Sequence, residues 1–200
     1  METTDVDVLL FDGFETLDAM GPVEVFGRLP EHYRIVCRSI AGGTVTSSQG
    51  VAFVTAPFPA GAPGRVLLIP GGMGTRSLVR DAEFLAALKR LCESAEYVLT
   101  VCTGSALLAK TGMLDGRRAT TNKAAFGWAS SQGEQVRWEK RARWVADGKY
   151  RTSSGVAAGI DMTLGFLEER HGRNTALEAA KQIEYLWNGD RENDPFAAGL

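Results

Sequence analysis

The chain has little of what builds a metal centre or a disulfide framework. Two histidines are present, His32 and His171, and three cysteines, Cys37, Cys92 and Cys102. Two distant histidines exclude a His-rich metal site. Three cysteines without metal-type spacing exclude a zinc knuckle and a fully paired disulfide set. No apolar run approaches the length needed to cross a bilayer. Neither sign of charge dominates: 22 Lys and Arg against 24 Asp and Glu give a formal net charge of −2. That removes the electrostatic case for nucleic acid or an anionic membrane as a partner. The first residues, METTDVDVLLF, show no basic n-region and no signal-type apolar core, so the expectation is a cytoplasmic protein with reduced thiols.

What is present suits one buried core. The 200 residues are 44% apolar and 23% charged, an ordinary globular balance, and a chain of this length needs no covalent staple. Glycine, at 23 residues, signals tight turns and close backbone approaches. A single domain is expected over 1–190. The polar chain from Asn188 onward is expected to be loosely held, with 191–200 counted as a tail.

Apolar runs predict strands over 6–11, 33–40, 66–69 and 97–101, with shorter ones over 44–47, 51–54 and 118–121. A Pro/Gly loop is expected over 56–64. Helical spacing predicts helices over 16–26, 81–91, 105–111, 124–129, 157–170 and 173–187. Pro22 marks an early turn or a kink in the first of these. The stretch 135–144 reads as a strand or hairpin arm with a solvated charged face carrying Glu139, Lys140, Arg141 and Arg143. Asp147-Gly148 is a hairpin turn signal, and 150–153 is the returning strand. Strands alternate with helices, and the central strands are continuously apolar. The fold class is therefore α/β, with a mostly parallel sheet covered by helices on both faces.

The most informative stretch is YVLTVCTGSALLA. A strand ends at Cys102, Gly104 permits a tight turn, and Ser105 opens a helix. This is the strand–turn–helix pattern of a nucleophile elbow with sulfur in place of hydroxyl. The helix N-terminus is expected to favour the thiolate and lower the thiol pKa. The alternative is that Cys102 is a small buried hydrophobe, the reading preferred for Cys37 and Cys92. A second strand runs into Pro70-Gly71-Gly72-Met73-Gly74. Its N–H groups can face a developing charge, with Gly72 and Thr103 as an oxyanion-hole-like pair, or the loop is a plain turn. Neither a Walker A nor a dinucleotide fingerprint is complete. Asp18, just after the first strand, is a candidate general acid or base, or merely complements a helix dipole. Asp12 is read as serving the turn.

These stretches carry a resemblance. LLFDGFETLDAMGPVEVF, IPGGMGTRSL, VCTGSALLAKTGMLDGRRATT and GVAAGIDMTLGFLEE together resemble the PfpI-like superfamily of cysteine hydrolases, and within it the isocyanide hydratases. The resemblance implies a flavodoxin-like sandwich of the class I glutamine amidotransferase-like type. It implies Cys102 as nucleophile and Asp18 as essential acid. It also implies Thr103, Gly72 and Gly71 in substrate or oxyanion binding. A small-molecule substrate, no metal, no organic cofactor and a homodimer follow from it as expectations. The same subgroup holds regulators with an added helix-turn-helix region, which is not expected here.

Two departures matter. Many superfamily members carry His directly after the elbow cysteine, where this chain has Thr103. Closer relatives carry a Thr-Thr-His-Trp stretch, where this chain reads Thr120-Thr121-Asn122-Lys123. A Cys–His dyad is therefore not expected, which counts against peptidase or amidase chemistry. Hydration of an isocyanide to an N-formamide relies on Cys and Asp and survives the loss. Phe14, Met20 and Met73 are pocket candidates, and Trp128 and Trp138 are candidates for core or dimer contacts. A related hydrolase or glyoxalase-like enzyme, and a noncatalytic thiol sensor or ligand-binding domain, remain open beside the hydratase.

Overall fold

The computed structural model describes residues 3–59 and 64–199. Ten strands and seven helices follow one another among these residues. They are β1 (Thr4–Leu9), α1 (Thr16–Phe26), β2 (Tyr33–Ser39), β3 (Gly43–Thr46), β4 (Ala52–Pro57), β5 (Val66–Ile69), α2 (Thr75–Leu78), α3 (Ala82–Ser94), β6 (Tyr97–Thr100), α4 (Gly104–Lys110), β7 (Arg118–Ala119), α5 (Phe126–Ser130), β8 (Arg137–Trp138), β9 (Trp144–Asp147), β10 (Tyr150–Ser153), α6 (Ala158–His171) and α7 (Arg173–Gln182). A short 3₁₀ turn, Pro195–Ala197, follows near the end of the described residues.

Eight strands form one sheet in the order β3-β4-β2-β1-β5-β6-β10-β9, and β7 pairs with β8 beside it. The six central strands run parallel, and each edge strand is antiparallel. The α/β expectation stands, and its reason is visible in β5. All four of its residues are buried, because helices cover both faces and leave no solvent side for a polar residue. Each such aliphatic side chain contributes roughly 1.5–3 kcal/mol by leaving water. Helices α1, α6 and α7 pack as one group and α2 to α5 gather around α4 as another, flanking the sheet.

The loops at the carboxyl ends of the central strands are laced together. Glu15 N–H donates to the Gly71 carbonyl at 2.9 Å, and Gly74 N–H donates to the Gly13 carbonyl at 3.0 Å. Asp12 reaches beyond its own turn to β3, accepting from Thr46 N–H at 2.8 Å. The ligand edge of a parallel sheet lies at these carboxyl ends, so the lacing fixes the start of α1 against the glycine loop after β5.

Three expectations are corrected. The 173–187 helix stops at Gln182, because Glu184 adopts φ 52° and Tyr185 N–H turns back to the Ala180 carbonyl at 2.9 Å. The 135–144 arm is broken into β8 and the start of β9, and Arg143 is not solvated: it is 6% exposed and paired with Asp161. The chain after Asn188 is tied down. The Arg191 carbonyl accepts from the N–H of Arg143 and of Trp144, and Asp194 N–H donates to the Arg141 carbonyl at 2.7 Å. Part of the expected 56–64 loop, residues 60–63, lies outside the described residues, and β4 extends to Pro57.

Candidate active site

Cys102 stands between β6 and α4 with φ 57°, a left-handed conformation that costs a non-glycine residue about 1–3 kcal/mol. Three hydrogen bonds from different parts of the chain hold it there. Cys102 N–H donates to the Ser154 carbonyl at 3.2 Å, and its own carbonyl accepts from Thr121 Oγ1 at 3.0 Å and Ser105 Oγ at 3.1 Å. Thr121 and Ser154 were not legible as site residues, since each reaches the elbow from a segment distant in sequence.

Asp18 lies in the first turn of α1, wholly buried. Its Oδ2 accepts from Gly71 N–H at 2.9 Å, while Oδ1 has no hydrogen-bond partner. Burial pushes the Asp18 carboxyl up to about 8, with the Gly71 bond acting against the rise and the charge of Glu15 adding to it. The Cys102 thiol is close enough to draw that pKa slightly down, although no well-aligned hydrogen bond joins them at rest. Gly71 cannot be replaced without disturbing both partners. A Cβ there would sit 2.5 Å from Thr103 N and 3.0 Å from Asp18 Oδ2.

The thiol does not behave as the elbow pattern predicts. Its pKa is raised, first by burial and then by the neighbouring Asp18, while bonds from Thr103 act in the other direction. Cys102 is 7% exposed, and in so dry a position desolvation disfavours the charged form. The resting site therefore holds a neutral thiol beside a carboxyl whose pKa lies near 8.

The expected pair of amides is also modified. Gly72 N–H donates to Thr103 Oγ1 at 3.1 Å rather than standing free, and the Gly71 amide serves Asp18. The Thr103 amide remains directed at the thiol. Thr75, buried and missed from sequence, donates to Thr103 Oγ1 at 3.1 Å and fixes that hydroxyl.

A cavity of about 200 Å³ opens over the thiol, lined by Glu15, Met73, Arg76, Asn122 and Val156 among others. Met73 lines it as expected. Phe14 does not, being fully buried against Phe53 at 5.2 Å between ring centroids, and Met20 packs on the core. Asn122 faces the thiol across Gly155: a Cβ on Gly155 would lie 3.0 Å from Cys102 Sγ and 2.1 Å from Asn122 Nδ2. Arg76, another cavity residue missed from sequence, lies over the Trp128 ring at 3.4 Å. Trp138 packs edge-on to Phe126 with ring centroids 6.3 Å apart.

Neither histidine approaches this site. His32 and His171 stack at 4.5 Å, with His171 Nε2 at 2.7 Å from Tyr33 Oη, where β2 begins rather than where it ends. Cys92 is wholly buried, with its thiol pushed up to about 12, and Cys37 is half-buried in β2. Among the described residues, no cluster of three or more His, Cys, Asp or Glu is placed to hold a metal ion, and no helix is long and apolar enough to cross a membrane.

Several known proteins are similar to this chain over most of its length. The chain is 34% identical over 182 residues to the isonitrile hydratase of Pseudomonas putida, covering 90% of this chain and 78% of that protein. It is 28% identical over 183 residues to the HTH-type transcriptional regulator CdhR of Pseudomonas aeruginosa, covering 88% of this chain and 53% of the regulator. The crystal structure of a THiJ/PfpI family protein from Pseudomonas syringae superposes with a TM-score of 0.82 at 30% identity, covering 100% of this chain and 80% of that one. The DJ-1/PfpI family model matches residues 4–169. With a match of that extent, and a hydratase at that identity over most of its length, the chain belongs to the DJ-1/PfpI family.

Proposed function

We propose that the protein hydrates a small isonitrile to the corresponding N-formamide, with Cys102 as nucleophile and Asp18 as the group that moves the proton. One observation carries the reading: a buried carboxyl with a pKa near 8 and an unpartnered oxygen stands beside a thiol on a strained elbow. Similarity to an isonitrile hydratase supplies the substrate class.

The reaction adds H and S to one carbon. Cys102 sulfur forms a bond to the terminal carbon of R–N≡C, and that carbon takes a proton from Asp18, which the thiol proton replenishes. The product is an enzyme-bound thioimidate, Cys–S–CH=N–R. Asp18 then gives that proton to nitrogen and, as the carboxylate, takes one from the water that adds to the same carbon; the new hydroxyl gives up its proton as the C–S bond breaks. Formamide R–NH–CHO leaves and the thiol proton is restored. A neutral thiol with a raised pKa suits this scheme, because proton and sulfur are delivered together and no free thiolate has to persist in a dry pocket. Thr103 N–H, directed at the sulfur, steadies the charge that appears there when the C–S bond forms or breaks. Gly71 holds Asp18, and Gly72 and Thr75 hold the Thr103 hydroxyl. No imidazole is required. A homodimer in the cytoplasm belongs to the same proposal.

The test is direct detection of formamide from a simple aromatic isonitrile, alongside Cys102→Ala and Asp18→Asn. Turnover in the native protein, absent in C102A, supports the reading. No formamide from folded, reduced protein overturns it. Similarity to a transcriptional regulator favours a second reading, a ligand-binding domain without turnover. The raised thiol pKa weighs against a peroxide sensor, which needs an accessible thiolate.

A further inference from the structure

Two charged residues line the cavity over Cys102, Glu15 and Arg76, and they do not pair with each other. Glu15 is already engaged, its Oε1 accepting from Gln49 Nε2 at 2.7 Å. Arg76 is not. Among the described residues its guanidinium forms no ion pair and no hydrogen bond, and it rests on the Trp128 ring at 3.4 Å. At that separation the planar guanidinium lies flat against the indole, and a flat stack leaves the N–H donors around its edge unused. Arg76 is half-buried, so these donors face the cavity rather than open water.

Asn122 brings a second donor. Ala125 N–H donates to its Oδ1 at 2.9 Å, which turns Nδ2 the other way, toward Gly155 and the sulfur. Among the described residues Nδ2 has no acceptor. Arg76 comes from α2 and Asn122 from the chain before α5, so two separate segments deliver donors to one cavity. Arg76 and the sulfur also sense each other, since a charge on Cys102 would raise the Arg76 pKa against the lowering by burial. With Asp18 and the thiol both protonated at neutral pH, neither repels an anion. A carboxylate, with two oxygens and a full charge, meets such a pair of donors best. The cavity, about 200 Å³, is smaller than the roughly 300–1,000 Å³ of pockets that bury drug-sized ligands, so its occupant is a molecule of few heavy atoms.

We infer that the cavity selects a small isonitrile carrying a carboxylate close to its nitrogen, with the Arg76 guanidinium and Asn122 Nδ2 as the donors that hold the carboxylate while the terminal carbon meets Cys102. The isonitrile rests on the hydratase reading, whereas the preference for a carboxylate beside the thiol does not. Trp128 is a positioning residue in this account: it fixes the plane of the guanidinium.

The test separates the two. Cys102 is alkylated with iodoacetate and with iodoacetamide, iodide leaving and the thiol proton passing to solvent as the thioether forms, and labelling at Cys102 is read by peptide mass. The iodoacetate-to-iodoacetamide rate ratio is compared with that of N-acetylcysteinamide, an uncharged thiol. The kcat/KM ratio for isocyanoacetate and its methyl ester is measured in parallel. The donor pair predicts a preference for the anion about tenfold above the reference thiol in both ratios. Arg76→Met should bring the labelling ratio to within about twofold of the reference, whereas Arg76→Lys, which keeps the charge and gives up the flat fork, should retain part of the preference. Asn122→Asp, which can still accept from Ala125 N–H but replaces the donor by a charge, should lower it by about threefold or more. A labelling ratio equal to that of the reference thiol, or one unchanged in both R76M and N122D, overturns the carboxylate site even if isonitriles turn over. A change of subunit count in R76M with no change in ratio overturns it in favour of an interface role for Arg76. A preference for the anion without formamide from either isonitrile leaves the carboxylate site standing and removes the isonitrile.

Discussion

Asp18 and Asp161 are both wholly buried, each in the first turn of a helix, and their surroundings differ in the partners they offer. Asp161 faces a guanidinium. Arg143 meets its Oδ2 through Nε at 2.7 Å and Nη2 at 2.6 Å, and Asn188 N–H donates to its Oδ1 at 2.9 Å. Asp7, also wholly buried, has Arg38 at 2.6 Å. Asp18 has one amide, an unpartnered oxygen and a thiol. Burial raises Asp161 too, but Arg143 pulls against it, whereas nothing cationic opposes the rise at Asp18. A buried carboxylate with a cation holds the fold together. One without a cation holds a proton and is free to give it up.

That contrast breaks first in activity. Cys102→Ala is expected to abolish formamide production, and Asp18→Asn to lower kcat/KM by about 10³ or more, since it leaves the pocket's shape and removes the proton carrier. Steady-state kinetics on folded variants measures both.

Stability should respond with opposite signs at the two aspartates. Arg143→Met strands Asp161 in the core and should cost about 3–5 kcal/mol in denaturant unfolding. Asp18→Asn should stabilise by about 1–3 kcal/mol at pH 8. The sign follows from a folded pKa raised above the unfolded 3.8 to about 8. The native carboxyl's contribution is fully present below pH 3.8 and is lost as pH rises through 8. The advantage of D18N should therefore widen across that window and vanish at its acid end. An advantage independent of pH would contradict the assignment.

The smallest effect sharpens the cause. Glu15 raises Asp18 through its charge. Glu15→Gln should move the basic limb of kcat/KM, expected near pH 8, downward by about half a unit. A limb that does not move would place its origin elsewhere.

Much of the frame was legible in sequence because local and tertiary preferences agree there. The span Thr16–Phe26 is helical at both predicted ends, with Pro22 inside it, and β5 and β10 match their predicted bounds. The elbow and the glycine loop were legible as motifs because each is set by a few consecutive residues. What failed depends on distant partners. The raised thiol pKa comes from dryness that no local pattern records. Arg143 reads as one more charge in a charged arm until Asp161, 18 residues on, is brought beside it. Thr75, Thr121 and Ser154 reach Cys102 or Thr103 only through the fold. The end of α7 is set by Tyr185 folding back and by Trp187 Nε1 donating to the Asp161 carbonyl at 3.2 Å, and neither interaction has a sequence signature.

The central claim is that Asp18 keeps a proton beside a neutral thiol. The most direct measurement is an infrared titration of the protonated-carboxyl band, native minus D18N, from pH 4 to 10. A band that persists through pH 7 and disappears with a midpoint near 8 is the predicted result. A midpoint near 4, with Asp18 ionised at neutral pH, would contradict it.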